Sequence, residues 1–450
     1  MKKPSMLNTV FLLAWPTMLE QLMHTAVQYI DTAMVGSLGT EATAAVGSTT
    51  TVNWLLSSTL SAVGVGFLAY ISQAMGAKDT LRAKKAVSQS ALAVLVCGGL
   101  FTAIALLLSG VIPTLMQVDK SIRTVASQYF FILYTPMLFR AASIIFGTVL
   151  RASGDTKTPM LVGIAVNIIN VTLNFLFIYP TRKIFGITVY GAGLGVIGAG
   201  IASAVAFAVG GILITAALWR HPLLSPKGQS LRPDKAILMP CLKVAFPNAL
   251  QRFGTSLGYV VFAAMVNSLG EAATAAHTIA NTVESAFYIP GYGMQSAAAT
   301  LAGNAVGAKD KKALKQLSKT LVVIEVLLMI ISGGLLFALA PAMMTLFTKD
   351  AYVISLGAFV LRMVALSEPF YGISIVIEGM MQGMGKTVLP FVTNIIGMWA
   401  VRIVGTFVFT QLLGFGLASA WGCMIAHNLM LCIVFGIYFI KRNLHNREFN

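Results

Sequence analysis

Charge is scarce in this chain. Only 10% of its 450 residues are Asp, Glu, Lys or Arg, while 57% are hydrophobic; soluble chains carry roughly 25% charge. So few charged side chains cannot keep that much apolar surface in water, and a mean hydropathy of +0.82 makes the bilayer the main solvent. Cysteine is scarcer still. Cys97, Cys241, Cys423 and Cys432 lie in or beside apolar stretches with no CxxC or other ligand spacing, which argues against a disulfide frame or a thiolate metal centre. GxxxxGK[ST] and HExxH are both missing, so ATP-driven transport and zinc-dependent hydrolysis of that type have no sequence basis. Gly193-Leu-Gly-Val-Ile-Gly198 spells a dinucleotide fingerprint but enters an apolar helix instead of following a strand, and reads as a close-packing glycine segment. The expectation is a chain that is not an enzyme, with no catalytic residues and no cofactor.

What is present is apolar helix. At about 20 residues per span, the chain has room for about a dozen spans and no sizeable extramembrane domain. Helices are expected over 8–35, 43–75, 86–113, 122–150, 158–180, 192–219, 238–268, 274–306, 315–345, 351–382, 387–413 and 416–441. Lys2 and Lys3 precede the first as in a signal peptide, but that stretch is long and lacks a small-residue cleavage site, so it is expected to be retained. On one side the loops hold only Lys120, Arg123, Arg182, Lys183 and Lys349; the other loops and both termini hold most of the remaining Lys and Arg. By the positive-inside rule both termini are then cytoplasmic. The net charge of +16 follows as orientation and contact with anionic membrane lipids, with no nucleic acid implied.

The chain repeats itself. Ala33-Met-Val-Gly-Ser-Leu-Gly-Thr-Glu-Ala-Thr-Ala-Ala45 recurs as Ala264-Met-Val-Asn-Ser-Leu-Gly-Glu-Ala-Ala-Thr-Ala-Ala276, 231 positions on. The same offset carries Gly76-Ala-Lys-Asp79 onto Gly307-Ala-Lys-Asp310, and Gly154, Thr156 and Pro159 onto Gly385, Thr387 and Pro390. Between the copies lies the longest polar stretch, Arg220 to Lys235, with three prolines. The expected fold class is an all-α integral membrane protein of twelve transmembrane helices in two pseudo-symmetric six-helix lobes. The N-lobe covers 1–219, a cytoplasmic linker 220–237, and the C-lobe 238–450 with a short cytoplasmic tail. An even number of spans per half makes the repeats parallel, and such pairs usually enclose a site that each side of the membrane reaches in turn.

A charged group in a membrane core costs about 2.5 to 3.5 kcal/mol on insertion scales, so intramembrane acids are functional candidates. They are Glu20, Asp31, Glu284, Glu325, Glu368 and Glu378. Glu20, His24, Gln28 and Asp31 share one face of the first helix, which serves either a binding site or helix stitching. Asn167, Asn170 and Asn174 share a face of the fifth, either as partners of a cation or a titrating carboxyl or as interhelical hydrogen bonds. His277, Asn281, Glu284, Tyr288 and Gln295 share a face of the eighth, and at the 231 offset Glu284 replaces Asn53 while Asp31 corresponds to Phe262. Glu378 shares a face with Tyr371, Ser374 and Gln382. Glu325, six residues past Lys319, is expected at the cytoplasmic interface. Arg140, Arg252, Arg362 and Arg402 lie within or near spans, some neutralising Glu368 or Glu378 and others snorkelling to the interface. The 22 methionines give either a deformable binding wall or ordinary packing.

Several of these segments together resemble the multidrug and toxic compound extrusion (MATE) family. They are Asp31-Thr-Ala-Met-Val-Gly-Ser-Leu-Gly39 after Trp15-Pro16, Gly76-Ala-Lys-Asp79, Leu150-Arg-Ala-Ser-Gly-Asp-Thr-Lys-Thr-Pro159, Glu284-Ser-Ala-Phe-Tyr-Ile-Pro-Gly-Tyr-Gly293, Gln382-Gly-Met-Gly-Lys-Thr387 and Trp399-Ala-Val-Arg-Ile403. The resemblance covers essentially the whole chain. It implies a twelve-helix antiporter of the cell membrane, driven by H⁺ or Na⁺, exporting small organic compounds and expected as a monomer. It also implies a cation site of Asp31, Asn170, Asn174 and Ser203, with Asn174 where the archaeal branch has an aspartate. No metal is expected beyond Na⁺ at Asp31. The sodium-driven branch carries a glutamate where this chain has Thr255, so that branch's C-lobe site does not transfer. Glu284, Asn281, Tyr288, Gln295, Glu378 and Gln28 are left as a substrate or second ion site. The alternative function is a lipid-linked precursor flippase of the same broad superfamily.

Overall fold

Long apolar runs become long helices. The computed structural model describes residues 6–115, 118–184 and 187–444. Its elements begin with α1 (Met6–Gly36), α2 (Thr40–Gly76), α3 (Thr80–Leu108), α4 (Ile112–Leu115), α5 (Arg123–Tyr134), α6 (Met137–Ala152) and α7 (Lys157–Ile178). A hairpin of β1 (Pro180–Ile184) and β2 (Ile187–Ala192) leads to α8 (Gly195–Arg220), α9 (Lys235–Asn267), α10 (Glu271–Gly307), α11 (Lys311–Thr345), α12 (Ala351–Ala365) and α13 (Glu368–Gly383). Last come α14 (Val388–Leu412), with π-helical turns over Gly397–Ile403 and Phe407–Leu412, and α15 (Leu417–Leu444). Lys2, Lys3 and the expected tail past residue 444 lie outside the described residues.

Among the described residues seven helices are both long and apolar enough to cross a membrane, or nine if two bent pairs each count as one span. The expected spans 122–150 and 351–382 are those pairs: α5 and α6 meet at 49°, α12 and α13 at 53°. Pro136 follows the end of α5 and Pro369 opens α13, and a proline removes a backbone donor where each helix must restart. Helices α1, α9 and α10, at 31, 33 and 37 residues, are long enough but too polar for that count. The hairpin is a departure from expectation. Tyr179, extended at φ −96° and ψ 151° before Pro180, ends α7 as a pre-proline residue tends to, and Arg182 then pairs with Val189 and Lys183 with Thr188.

The repeat is visible in the backbone. Lys78 and Lys309, at φ 59° and 54°, are the described non-glycine residues with positive φ, and they are repeat counterparts. Each closes a helix that the next residue restarts: Asp79 accepts from Arg82 N and Asp310 from Ala313 N, both at 2.9 Å. The Gly-Ala-Lys-Asp motif is therefore a left-handed helix stop joined to an N-cap.

The described chain divides into two compact units. The C-terminal unit takes the described residues of Met1–Gln21, Ser72–Lys78 and Leu242–Asn450; the N-terminal unit takes Leu22–Ile71 and Asp79–Cys241. The units thus divide near the expected linker, but the first part of α1 and the end of α2 pack with the C-terminal helices. Within the C-terminal unit the ends of α2 and α10 cross so closely that a Cβ on Gly76 would run into the Asn304 carbonyl, and one on Gly307 into that of Gln73. The two contacts exchange under the 231-residue offset. In the N-terminal unit the 220–237 segment is pinned to α3. Ser88 Oγ donates to Ser230 O at 2.6 Å, Gln89 Nε2 to Arg232 O at 2.9 Å, and Asp234 N to Gln89 Oε1 at 3.0 Å.

Candidate functional site

Asn170 and Asn174 stand one turn apart on α7, so both amides reach the same neighbour. That neighbour is Asp31 on α1. Asn174 Nδ2 donates to Asp31 Oδ1 at 2.6 Å. With its amide turned so that nitrogen faces the carboxylate, Asn170 donates to Asp31 Oδ1 and Oδ2 at 2.8 and 3.0 Å and accepts from Ser203 Oγ at 3.1 Å. All four residues of the expected cation site therefore meet within the N-terminal unit. Asn174 is 1% exposed, and its Oδ1 has no hydrogen-bond partner. One carboxylate, one spare amide oxygen and one hydroxyl offer oxygen ligands and a single negative charge. Such a set suits a proton or an alkali cation, and among the described residues no cluster of three His, Cys, Asp or Glu stands ready for a metal ion. Gln28 is exposed, and its backbone carbonyl accepts from Thr32 at 2.8 Å.

Glu284 is buried on α10 at 4% exposure. One turn on, Tyr288 meets Tyr292 edge-on at 5.7 Å and Tyr371 of α13 at 5.8 Å, and the hydroxyls of Tyr292 and Tyr371 are 3.1 Å apart. Sequence reasoning named Tyr288 and Tyr371 but missed Tyr292, although its four-residue step from Tyr288 places the two on one face. Asn281 is exposed and Gln295 half-buried; neither hydrogen-bonds to Glu284. His277 lies between the rings of Phe262 and Trp421, at 5.6 and 5.8 Å, where it serves packing.

Glu378 is enclosed by amides. Gln251 and Gln382 donate to its Oε1 at 2.9 and 3.2 Å, and Asn394 to its Oε2 at 3.3 Å. Arg252, bonded to Asn248 at 2.9 Å, adds a positive charge that acts on it. Arg402 lies over the rings of Tyr259 and Phe262, at 4.8 and 4.2 Å, and its charge reaches Glu284. Arg140 donates to Asn53 and, at 2.7 Å, to Ser57, so the counterpart of Glu284 in the first repeat is held by a cation. Arg362 donates to Phe337 O at 3.3 Å. Glu368 has no basic partner among the described residues.

Glu325, expected at the cytoplasmic interface, is fully buried among the helices. It lies 14 residues into α11, about 21 Å from the start of the helix at 1.5 Å per residue, on the same inward face as Leu321, Met329 and Leu336, while Val323, Leu327 and Ile330 face outward.

Comparison with known proteins places these features in context. The MatE family model matches two stretches, residues 16–176 and 247–408, one in each repeat. A probable multidrug resistance protein NorM of Thermotoga maritima is 25% identical over 444 residues, covering 99% of this chain and 94% of that protein. A probable multidrug resistance protein YoeA of Bacillus subtilis is 26% identical over 444 residues, covering 97% and 94%. A solved structure described as the outward-facing conformation of a multidrug resistance MATE family transporter of the MOP superfamily superimposes with a TM-score of 0.91 at 21% identity, covering 98% of this chain and 97% of that one. At that identity the likeness is one of fold.

Proposed function

The chain belongs to the MatE family, and from that membership we propose that it is a secondary antiporter, coupled to H⁺ or Na⁺, that exports lipophilic cationic compounds across the cell membrane by alternating access. The observation that carries this reading is Asp31 held by Asn170 and Asn174 beside Ser203. A lone half-buried carboxylate with neutral partners exchanges one monovalent charge for another at small cost. The names of the similar NorM and YoeA proteins support drug-like substrates. Glu284 beside the Tyr288, Tyr292 and Tyr371 rings supplies the elements that hold a flat organic cation: aromatic faces and a counter-charge. Counting α1, α9 and α10 with the nine apolar spans supports twelve crossings, and with them the cytoplasmic placement of both termini and of the 220–237 linker.

The test is substrate efflux from proteoliposomes with Na⁺ and pH gradients imposed separately. One of the two gradients is expected to drive efflux, and Asp31→Asn to abolish the drive while leaving the protein folded. Efflux by that variant at the wild-type rate, or no response to either gradient, rejects the reading.

A further inference from the structure

The arginine of α6 has no acid to match it. Arg140 stands between the charged ends Arg123 and Arg151 of the bent pair α5 and α6, about 16 Å along α6 from Arg151 at 1.5 Å per residue. An arginine at such depth takes a carboxylate partner or marks a binding site. The other three arginines find a neighbour or leave the interior: Glu378 acts on Arg252, Arg402 lies within reach of Glu284, and Arg362 is exposed. The groups whose charge bears on Arg140 are the phenols of Tyr134 and Tyr129, and among the described residues no carboxylate joins them. Neutral groups hold its guanidinium in place. One Nη donates to Asn53 Oδ1 and the other to Ser57 Oγ, the latter at 2.7 Å; Asn53 and Ser57 lie one turn apart on a face of α2. The ring of Phe207, on α8, faces the guanidinium with its centre 4.6 Å away. Two of the five N–H donors are thus used, and Arg140 is half-buried, not sealed. Tyr134, on which the Arg140 charge acts, is fully buried with a hydroxyl that has no hydrogen-bond partner.

The repeat gives this arrangement a meaning. The 231-residue offset carries Asn53 and Ser57 onto Glu284 and Tyr288. Anchored beyond them by Asp79 with Asp310 and by Gly154 with Gly385, it also carries Arg140 onto Tyr371. Each set of three is drawn together in its own unit. Arg140 bonds Asn53 and Ser57; Tyr371 meets the ring of Tyr288 at 5.8 Å, and the Glu284 charge reaches Tyr288. In the C-terminal unit the three positions supply one carboxyl and two phenol rings. In the N-terminal unit they supply one guanidinium, one amide and one hydroxyl. The same place in the repeat therefore carries an acid in one copy and a permanent cation in the other.

We propose that Arg140, Asn53 and Ser57 form a binding site in the N-terminal unit for the carboxylate of an aromatic organic acid. The planar fork of guanidinium donors matches the two oxygens of a carboxylate, and a charge-assisted pair of this kind is stronger than a bond between neutral groups. Asn53 and Ser57 fix the direction of the fork, and Phe207 offers an apolar ring to the body of the ligand. Arrival of the acid supplies the negative charge that Arg140 lacks, which a neutral ligand of the same shape does not do. The site deepens the exporter reading and rests on it in one respect: the matching set of Glu284, Tyr288 and Tyr371 is taken there as the seat of an organic cation.

The site is tested by binding titrations of naphthoate and of the matched neutral naphthamide to the purified full chain in lipid nanodiscs, with empty nanodiscs as the blank. Wild type is expected to bind naphthoate more tightly than naphthamide, and excess chloride to displace little of it. Arg140→Gln should weaken naphthoate roughly 10- to 100-fold and naphthamide little. Arg140→Lys, which keeps the charge and loses the fork, should fall between wild type and Arg140→Gln. Ser57→Ala, the mildest change, should weaken naphthoate several-fold and decides the matter where the arginine variants fail to fold. No wild-type preference for naphthoate, equal losses for the two probes, or full displacement by chloride overturns the carboxylate site. If naphthoate behaves as expected while tetraphenylphosphonium neither binds nor is transported, the reading as a cation exporter fails and the carboxylate site stands; the converse result removes the site and leaves that reading.

Discussion

Asn174 donates to Asp31 across 143 residues of sequence at 2.6 Å, tying the last turns of α1 to α7 through the only acid in its cluster. A hydrogen bond to a charged group is worth about 1.5 to 3 kcal/mol. Asn174→Ala is expected to raise the coupling-ion concentration for half-maximal transport roughly 10- to 100-fold, as read from initial efflux rates. A fall in thermal stability with unchanged ion dependence would assign Asn174 to packing alone.

Glu284 and its tyrosines make a charge-selective prediction. Glu284→Gln should weaken a lipophilic cation by about tenfold or more, about 1.4 kcal/mol, and leave a neutral ligand of the same size little changed. Binding titrations of such a pair decide it. Equal losses for both remove Glu284 from cation recognition.

The crossing of α2 and α10 leaves no room at Gly76, whereas an added Cβ at Gly422 meets nothing within 4 Å. Gly76→Leu should cost about 1 to 3 kcal/mol, as overpacking does, and Gly422→Ala should be neutral or stabilising by up to about 1 kcal/mol. Thermal unfolding in detergent checks both; equal melting of the two variants would show that the crossing tolerates side chains.

The linker offers a pH test. His221 Nδ1 accepts from Leu223 N and Leu224 N at 3.3 and 3.2 Å, and burial holds the imidazole below its ordinary value, opposed by the Asp155 charge. A histidine favoured in its neutral form stabilises the fold above the ordinary value of about 6.5, and that contribution is lost as pH falls below it. Hydrogen exchange at Leu223 and Leu224, corrected for the intrinsic pH dependence, should therefore speed up on acidification in wild type and be insensitive in His221→Ala.

Orientation is checked with a single cysteine at Lys227, an exposed residue of the linker, in a background lacking the four native cysteines. A membrane-impermeant thiol reagent should label it only from the cytoplasmic side. Labelling from outside would reverse the topology and the direction of transport.

Much of this architecture was legible in the sequence because it depends on period and register. The four-residue step from Asn170 to Asn174 put both amides on one face before any helix was seen, and the 231-residue offset matched Lys78 to Lys309 in conformation. The family resemblance, more than spacing, brought Ser203 to Asp31. What escaped was set by neighbours distant in sequence. For Glu325 only its distance from Lys319 was visible; the glycines that make room for its carboxyl, Gly291 and Gly372, come from two other helices. The hairpin after Tyr179 falls in the connection between the expected spans 158–180 and 192–219, where a search for long apolar stretches registers no strand, and Tyr292 acquires its role only through Tyr371.

The reciprocal contact of Gly76 with Asn304 and of Gly307 with Gln73 has the form of an isologous interface, in which residue i of one copy meets j of the other and j meets i. A chain of half this length would make the same crossing with a second copy of itself, both inserted in one orientation. Fusion through the 220–237 segment would turn that homodimer into one polypeptide and release its halves from identity. Asp31 opposite Phe262 and Glu284 opposite Asn53 are then places where the two copies differ.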